Sequence, residues 1–198
     1  MDKETYEKQK AFAGEKVPSM HRRMVGHDYQ ERQMYMITMV TEDRRPLLGR
    51  VVGKSEAHPD TPDAPRTEPT ELGRRVELCW HEIALRYPQI DVLAFQLMPD
   101  HFHGILQVEE PMDVGIGEII RGFKIGCTQV YRSLYPPYMA DLPLDRDRLA
   151  RSSRKQREEY YASNGVTPLF EDNYDDTICY RQGQLDNIIR YVQDNPRR

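Results

Sequence analysis

The chain lacks any run of the roughly 18 apolar residues that a membrane span requires, and its opening, MDKETYEKQKAFAGEK, has no apolar core of the secretory kind. These two absences point to a cytoplasmic protein without a membrane partner. Cysteine is scarce: Cys79, Cys127 and Cys179 are the three in 198 residues, far apart and odd in number. That argues against a disulfide framework and against a thiolate zinc site, and leaves buried free thiols as the plain reading. Large aromatics other than tyrosine are few, with one Trp and five Phe against twelve Tyr. Charged residues make up 30% and hydrophobic residues 38%, a soluble composition with a wet surface. One domain accounts for this length.

Net positive charge is also lacking. The formal charge of −4 speaks mildly against an anionic partner, but the distribution matters more than the sum. Acid gathers in SEAHPDTPDAPRTEPTE and FEDNYDD, whereas RDRLARSSRKQR, residues 146–157, is mostly Arg and Lys. A solvated face is the ordinary explanation of such a run; a loop that tracks phosphates is the other.

The first 30 residues are polar and aperiodic and are expected to form an arm. QMYMITMVTE reads as a strand, with PLLGRVVG as its expected hairpin partner, and residues 53–69, with their prolines, as a loop. Thr70 is placed to cap a helix running to about Tyr87, in which Leu72, Val76, Cys79, Trp80 and Ile83 share a stripe. QIDVLAFQLM is apolar on both parities, as in a central strand covered on both faces, and HFHGILQVEE returns after the Pro99–Asp100 turn. Residues 115–135 form the clearest helix, with Arg121, Lys124 and Arg132 opposite its apolar stripe. Residues 136–166 read as a basic insertion, TPLFEDNYDD as a short extended piece, and GQLDNIIRYVQDNPRR as a last helix. The order suggests an α+β fold, with helices packed against a mostly antiparallel sheet.

In QLMPDHFHGILQV the histidines are one residue apart, so in a strand His101 and His103 project from the same face while Phe102 goes to the other. Two imidazoles aimed at one point make a bidentate platform for a divalent metal, although polar strand residues often share this spacing. No further histidine follows, so an additional ligand should be an oxygen donor. Tyr191 and Asn195, four apart near the end of the chain, bring a phenol and an amide to one helical face.

At these residues LMPDHFHGIL resembles the His-hydrophobic-His motif of the single-tyrosine HUH transposases, which include the REP-associated tyrosine transposases of bacteria. NYDDTICYRQGQLDNIIRYVQDNPRR is similar to that family's second block, and the resemblance extends over about residues 34–198. It implies a ferredoxin-like or RRM-like sandwich, with His101, His103 and Asn195 as ligands of Mg²⁺ or Mn²⁺ and Tyr191 as nucleophile. The implied reaction is cleavage and rejoining of single-stranded DNA, often folded as a hairpin, through a 5′-phosphotyrosine. A tyrosine oxygen suits it, because a covalent intermediate conserves the energy of the broken phosphodiester. Arg121, Lys124, Arg132, Arg154 and Lys155 are candidate phosphate contacts. The family includes dimers as well as monomers. Two alternatives stand beside this reading: a domesticated DNA-binding protein that no longer cleaves, and a metal-dependent hydrolase that uses only the His pair.

Overall fold

The computed structural model describes residues 24–58, 61–135, 168–179 and 182–197. The expected arm is therefore described only from residue 24, and the expected insertion at 136–166, with Arg154 and Lys155, lies outside the described residues.

Among the described residues six strands and three α-helices follow one another: β1 (Met34–Val40), β2 (Gly49–Val52), β3 (Arg66–Pro69), α1 (Glu71–Arg86), β4 (Ile90–Leu97), β5 (His101–Val108), α2 (Ile116–Leu134), β6 (Asp175–Cys179) and α3 (Gln182–Gln193). The main sheet has the order β4-β5-β1-β6, antiparallel throughout. With the small β2–β3 ribbon set aside, the path is β-α-β-β-α-β with β5 and β1 central and β4 and β6 outside them, the ferredoxin-like arrangement.

Local chemistry explains most boundaries. The hydroxyl of Thr70 accepts from the Gly73 amide and caps α1. Leu72, Val76, Trp80 and Ile83 then bury one stripe of that helix, and Ile116, Ile119, Ile120, Phe123 and Cys127 do the same for α2. Both helices cover one face of the sheet, meeting Tyr35, Ile37 and Met39 of β1 and Phe102 and Leu106 of β5. Gly104 is required there: a Cβ would lie 2.3 Å from Trp80 Cζ2, so the indole rests directly on the β5 backbone. The free thiols behave as expected, Cys127 and Cys179 being buried and Cys79 half-buried.

Three expectations are corrected. β1 does not form a hairpin with β2: both of its edges are taken, by β5 and by β6, and β2 pairs instead with β3. The end of the segment expected to be a loop is therefore a strand, Arg66–Pro69. β4 is covered on both faces, its Val92 and Phe95 packing toward one cluster and Leu93 and Ala94 toward the other, but it lies at the sheet edge. A register shift between Val92 and Ala94 allows neighbouring residues to serve opposite faces.

Residues just before β1 lie against the body. Tyr29 stacks on Tyr35, His27 Nε2 is 2.8 Å from the Tyr35 hydroxyl, and the Ile116 amide donates to the Tyr29 carbonyl. Burial is the main influence on His27 and lowers its pKa. Among the described residues no helix is long and apolar enough to cross a membrane.

Candidate active site on the α3 face

The sheet face away from α1 and α2 is covered by α3. Ile188 and Val192, four residues apart, point from that helix onto Ile105 and Cys179 in a second, smaller apolar cluster. Burying two such side chains contributes about 1.5–3 kcal/mol each and sets the rotation of the helix. Tyr191, on the flank of the stripe, packs beside this cluster, half-buried.

The alternation of β5 works as its sequence implies. Phe102 enters the larger core, while His101 and His103 face the α3 side with ring centroids 5.1 Å apart. The Tyr191 ring is 5.7 Å from that of His103. Two side chains from alternate positions of one strand and one from a helix some 90 residues later are thus brought together. Tyr174, the other described tyrosine near the C-terminal blocks, packs toward the core on the opposite face.

The surroundings of the two imidazoles differ. His103 is only 6% exposed and its Nδ1 lies 2.8 Å from Thr38 Oγ1. Burial, aided by the neighbouring His101, lowers its pKa to about 4, so it is neutral at physiological pH, the form that binds metals. His101 is more open, with Nδ1 2.6 Å from Asp100 Oδ1. Arg44 donates to the other oxygen of Asp100 at 3.2 Å. For Asp100, burial pushes toward protonation, but the bond from His101 and the Arg44 pair outweigh it, and the carboxyl lies below the usual carboxylate range.

Asn195 is buried, at 8% exposure, but it is not on the same helix as Tyr191. α3 ends at Gln193, and Asn195 opens a 3₁₀ turn, Asn195–Arg197, beside β3. β3 in turn reaches the strand end that precedes the histidines, where Thr67 Oγ1 lies 3.8 Å from Met98 Sδ. Among the described residues no group of three or more His, Cys, Asp or Glu could hold a metal ion. The His pair fits a divalent cation as two nitrogen donors, and among the described residues a further protein ligand would be a neutral oxygen such as an amide.

The candidate phosphate contacts on α2 lie elsewhere. Arg121 pairs with Glu118 at 3.2 Å, and Lys124 donates to the carbonyls of Glu171 and Asp172, tying the approach to β6 onto α2. Arg132 is half-buried. All three belong to the helix that covers the face opposite the histidines.

Comparison with known proteins bears on the fold. A solved REP-associated tyrosine transposase, bound to a REP hairpin, aligns over 86% of this chain and 70% of its own length, with a TM-score of 0.51 and 12% identity. The two chains share a fold. A Deinococcus radiodurans protein provisionally assigned as a transposase aligns over 85% of this chain and 95% of its own, at a TM-score of 0.44 and 15% identity. An uncharacterized protein of Haemophilus influenzae is 26% identical over 199 residues, covering 89% of this chain and 88% of the relative. No family model matches.

Sequence reasoning missed Thr38 and Asp100. Asp100 could have been noticed as an acid directly before the first histidine. Thr38 could not, because its role depends on the register that sets it opposite His103.

Proposed function

We propose that the chain cleaves and rejoins single-stranded DNA, hairpin-bearing strands above all, as a transposase of the single-tyrosine HUH type. The observation that carries this reading is the meeting of His101, His103 and Tyr191 on one sheet face, with the His103 and Tyr191 rings 5.7 Å apart. The shared fold with a transposase whose structure holds a REP hairpin supports it.

Tyr191 Oη attacks the scissile phosphorus. A phosphotyrosine bond forms to the 5′ side, the bond to the 3′ oxygen breaks, and a 3′-hydroxyl leaves. Attack by a second 3′-hydroxyl reverses the step and joins new ends. An ordinary phenol is roughly 0.1% ionised at pH 7, so proton removal accompanies the attack. His101 and His103 would hold Mg²⁺ or Mn²⁺ as nitrogen donors, with the Asn195 amide oxygen as a further ligand. When bound, the cation supplies positive charge that polarises a non-bridging phosphate oxygen. The neutrality of His103 keeps its lone pair available for that purpose. Docking of α3 through Ile188 and Val192 holds the nucleophile against the ligand strand, which replaces a search in solution by a fixed approach.

The test is incubation with labelled hairpin-bearing single strands and Mn²⁺, followed by denaturing electrophoresis. The expected outcome is a covalent protein–DNA adduct that disappears in Tyr191→Phe and drops sharply in His103→Ala. Unchanged cleavage in Tyr191→Phe would refute the nucleophile assignment, and binding without any adduct in the wild type would favour a DNA-binding protein that does not cleave.

A further inference from the structure

We propose that Asp100 and Thr38 are positioning residues that fix His101 and His103 in the Nδ1-protonated tautomer, so that both rings present Nε2 as a lone-pair donor. The purpose of this device rests on the metal-binding reading above. Its content, the location of two protons, can be measured without any metal.

The argument begins with what each partner can do. A carboxylate at neutral pH has no proton to give, so the 2.6 Å contact between Asp100 Oδ1 and His101 Nδ1 requires the hydrogen to be on the nitrogen. In the neutral ring Nε2 is then the lone-pair atom, and it lies across the ring from the anchoring bond. His103 is held in the same sense from the neighbouring strand. Thr38 is its direct partner in the β1–β5 pair, and the hydroxyl meets Nδ1 at 2.8 Å. A threonine hydroxyl can either donate or accept; with the hydroxyl as acceptor the His103 proton is on Nδ1, and Nε2 is left as the lone-pair atom, in the same sense as in His101.

The backbone around Asp100 is held more firmly than a turn requires. Thr41 directs both its amide and its hydroxyl to the Asp100 carbonyl, at 2.8 and 2.9 Å. The Arg44 guanidinium takes Asp100 Oδ2, leaving Oδ1 for His101. Arg44 comes from a turn in which two successive non-glycine residues, Asp43 and Arg44, have φ of +57° and +50°. That backbone is uncommon for L side chains and persists only where neighbouring contacts enforce it. Arg45 supplies such contacts, donating to the carbonyls of Glu42 and Pro168 and to the Tyr131 hydroxyl. A ring oriented by two layers of contacts loses little freedom when it binds a cation, and partners of this kind are worth roughly ten- to hundred-fold in metal affinity elsewhere.

The experiment uses the full chain with ¹⁵N-labelled histidine, metal-free, at pH 7.5. Long-range ¹H–¹⁵N correlation spectra are expected to show both rings protonated at Nδ1. Thr38→Val, nearly isosteric and a good strand former, should free the His103 tautomer. Asp100→Ala should do the same for His101. Titration with Mn²⁺ alone, followed by calorimetry or electron paramagnetic resonance, should show affinity weakened by roughly ten- to hundred-fold in each variant and restored in Thr38→Ser. Circular dichroism identifies any variant that fails to fold; Asp100→Leu, close in size and without an acceptor, then replaces Asp100→Ala. Nε2-protonated rings in the wild type, or wild-type Mn²⁺ affinity in both variants, would overturn the inference. A wild type with Nδ1-protonated rings that binds no Mn²⁺ would instead overturn the metal reading and leave the tautomer assignment standing.

Discussion

On one face of the central sheet, Trp80 meets Phe102 and Phe123 at ring-centroid distances of 5.3 Å, Phe170 lies 5.9 Å from Phe102, and Trp80 and Phe102 are fully buried. On the other, His101, His103, Thr38 and Tyr191 stand around a smaller cluster of Ile105, Ile188, Val192 and Cys179. The same eight residues of β5 supply both. The large face is held by apolar area and tolerates few gaps; the small face keeps just enough apolar contact to seat α3 and gives the rest to polar groups with assigned partners. Stability and chemistry are thus divided by residue parity rather than by region.

The sharpest way to break this division is to attack the large face. Trp80→Ala should cost about 3–5 kcal/mol in a urea titration, whereas Tyr191→Phe should change stability by less than about 1 kcal/mol while removing the DNA adduct. Equal losses in the two variants would mean that the faces are not independent.

Acid comes next. The folded-state pKa of His103, about 4, lies below the ordinary 6.5, so above pH 6.5 folded and unfolded chains are alike in binding no proton there. As pH falls from 6.5 toward 4 the unfolded chain takes up a proton that the folded one refuses, and stability is lost by on the order of 3 kcal/mol in total. Denaturant titrations with EDTA across that window should show the decline, and His103→Gln should remove most of it. The same slope in both proteins would assign the decline to other groups.

Smaller effects separate two lysine and arginine positions on α2. Lys124→Ala, which frees the Glu171 and Asp172 carbonyls, should destabilise by about 1.5–3 kcal/mol. Arg121→Ala removes an exposed pair with Glu118 and should cost less than about 1 kcal/mol by the same measurement.

Much of this organisation can be read in the chain. The Thr70 cap, the stripes of α1 and α2, and the opposed directions of Phe102 and the two histidines follow from periodicity and residue chemistry, which are local. Strand partnership is not local. Nothing in MYMITMV says that its edges will be occupied by β5 and β6 rather than by the nearby β2, because pairing is decided by the whole packed sheet. β4 misleads for a related reason. An apolar pattern on both parities reports cover on both faces, and helices can provide that at an edge as well as at the centre. Around the site, His101, His103 and Tyr191 could be named from their spacing and resemblance, and their meeting is visible only in the fold. The end of α3 could not be placed from the four-residue interval between Tyr191 and Asn195, since the last turn tightens into a 3₁₀ geometry.

The overlay of the Trp80 indole on the bare backbone at Gly104 has one further consequence. It holds the strand from beneath at the very next position after His103, so a side chain at 104 would lift β5 off the indole and carry both imidazoles with it.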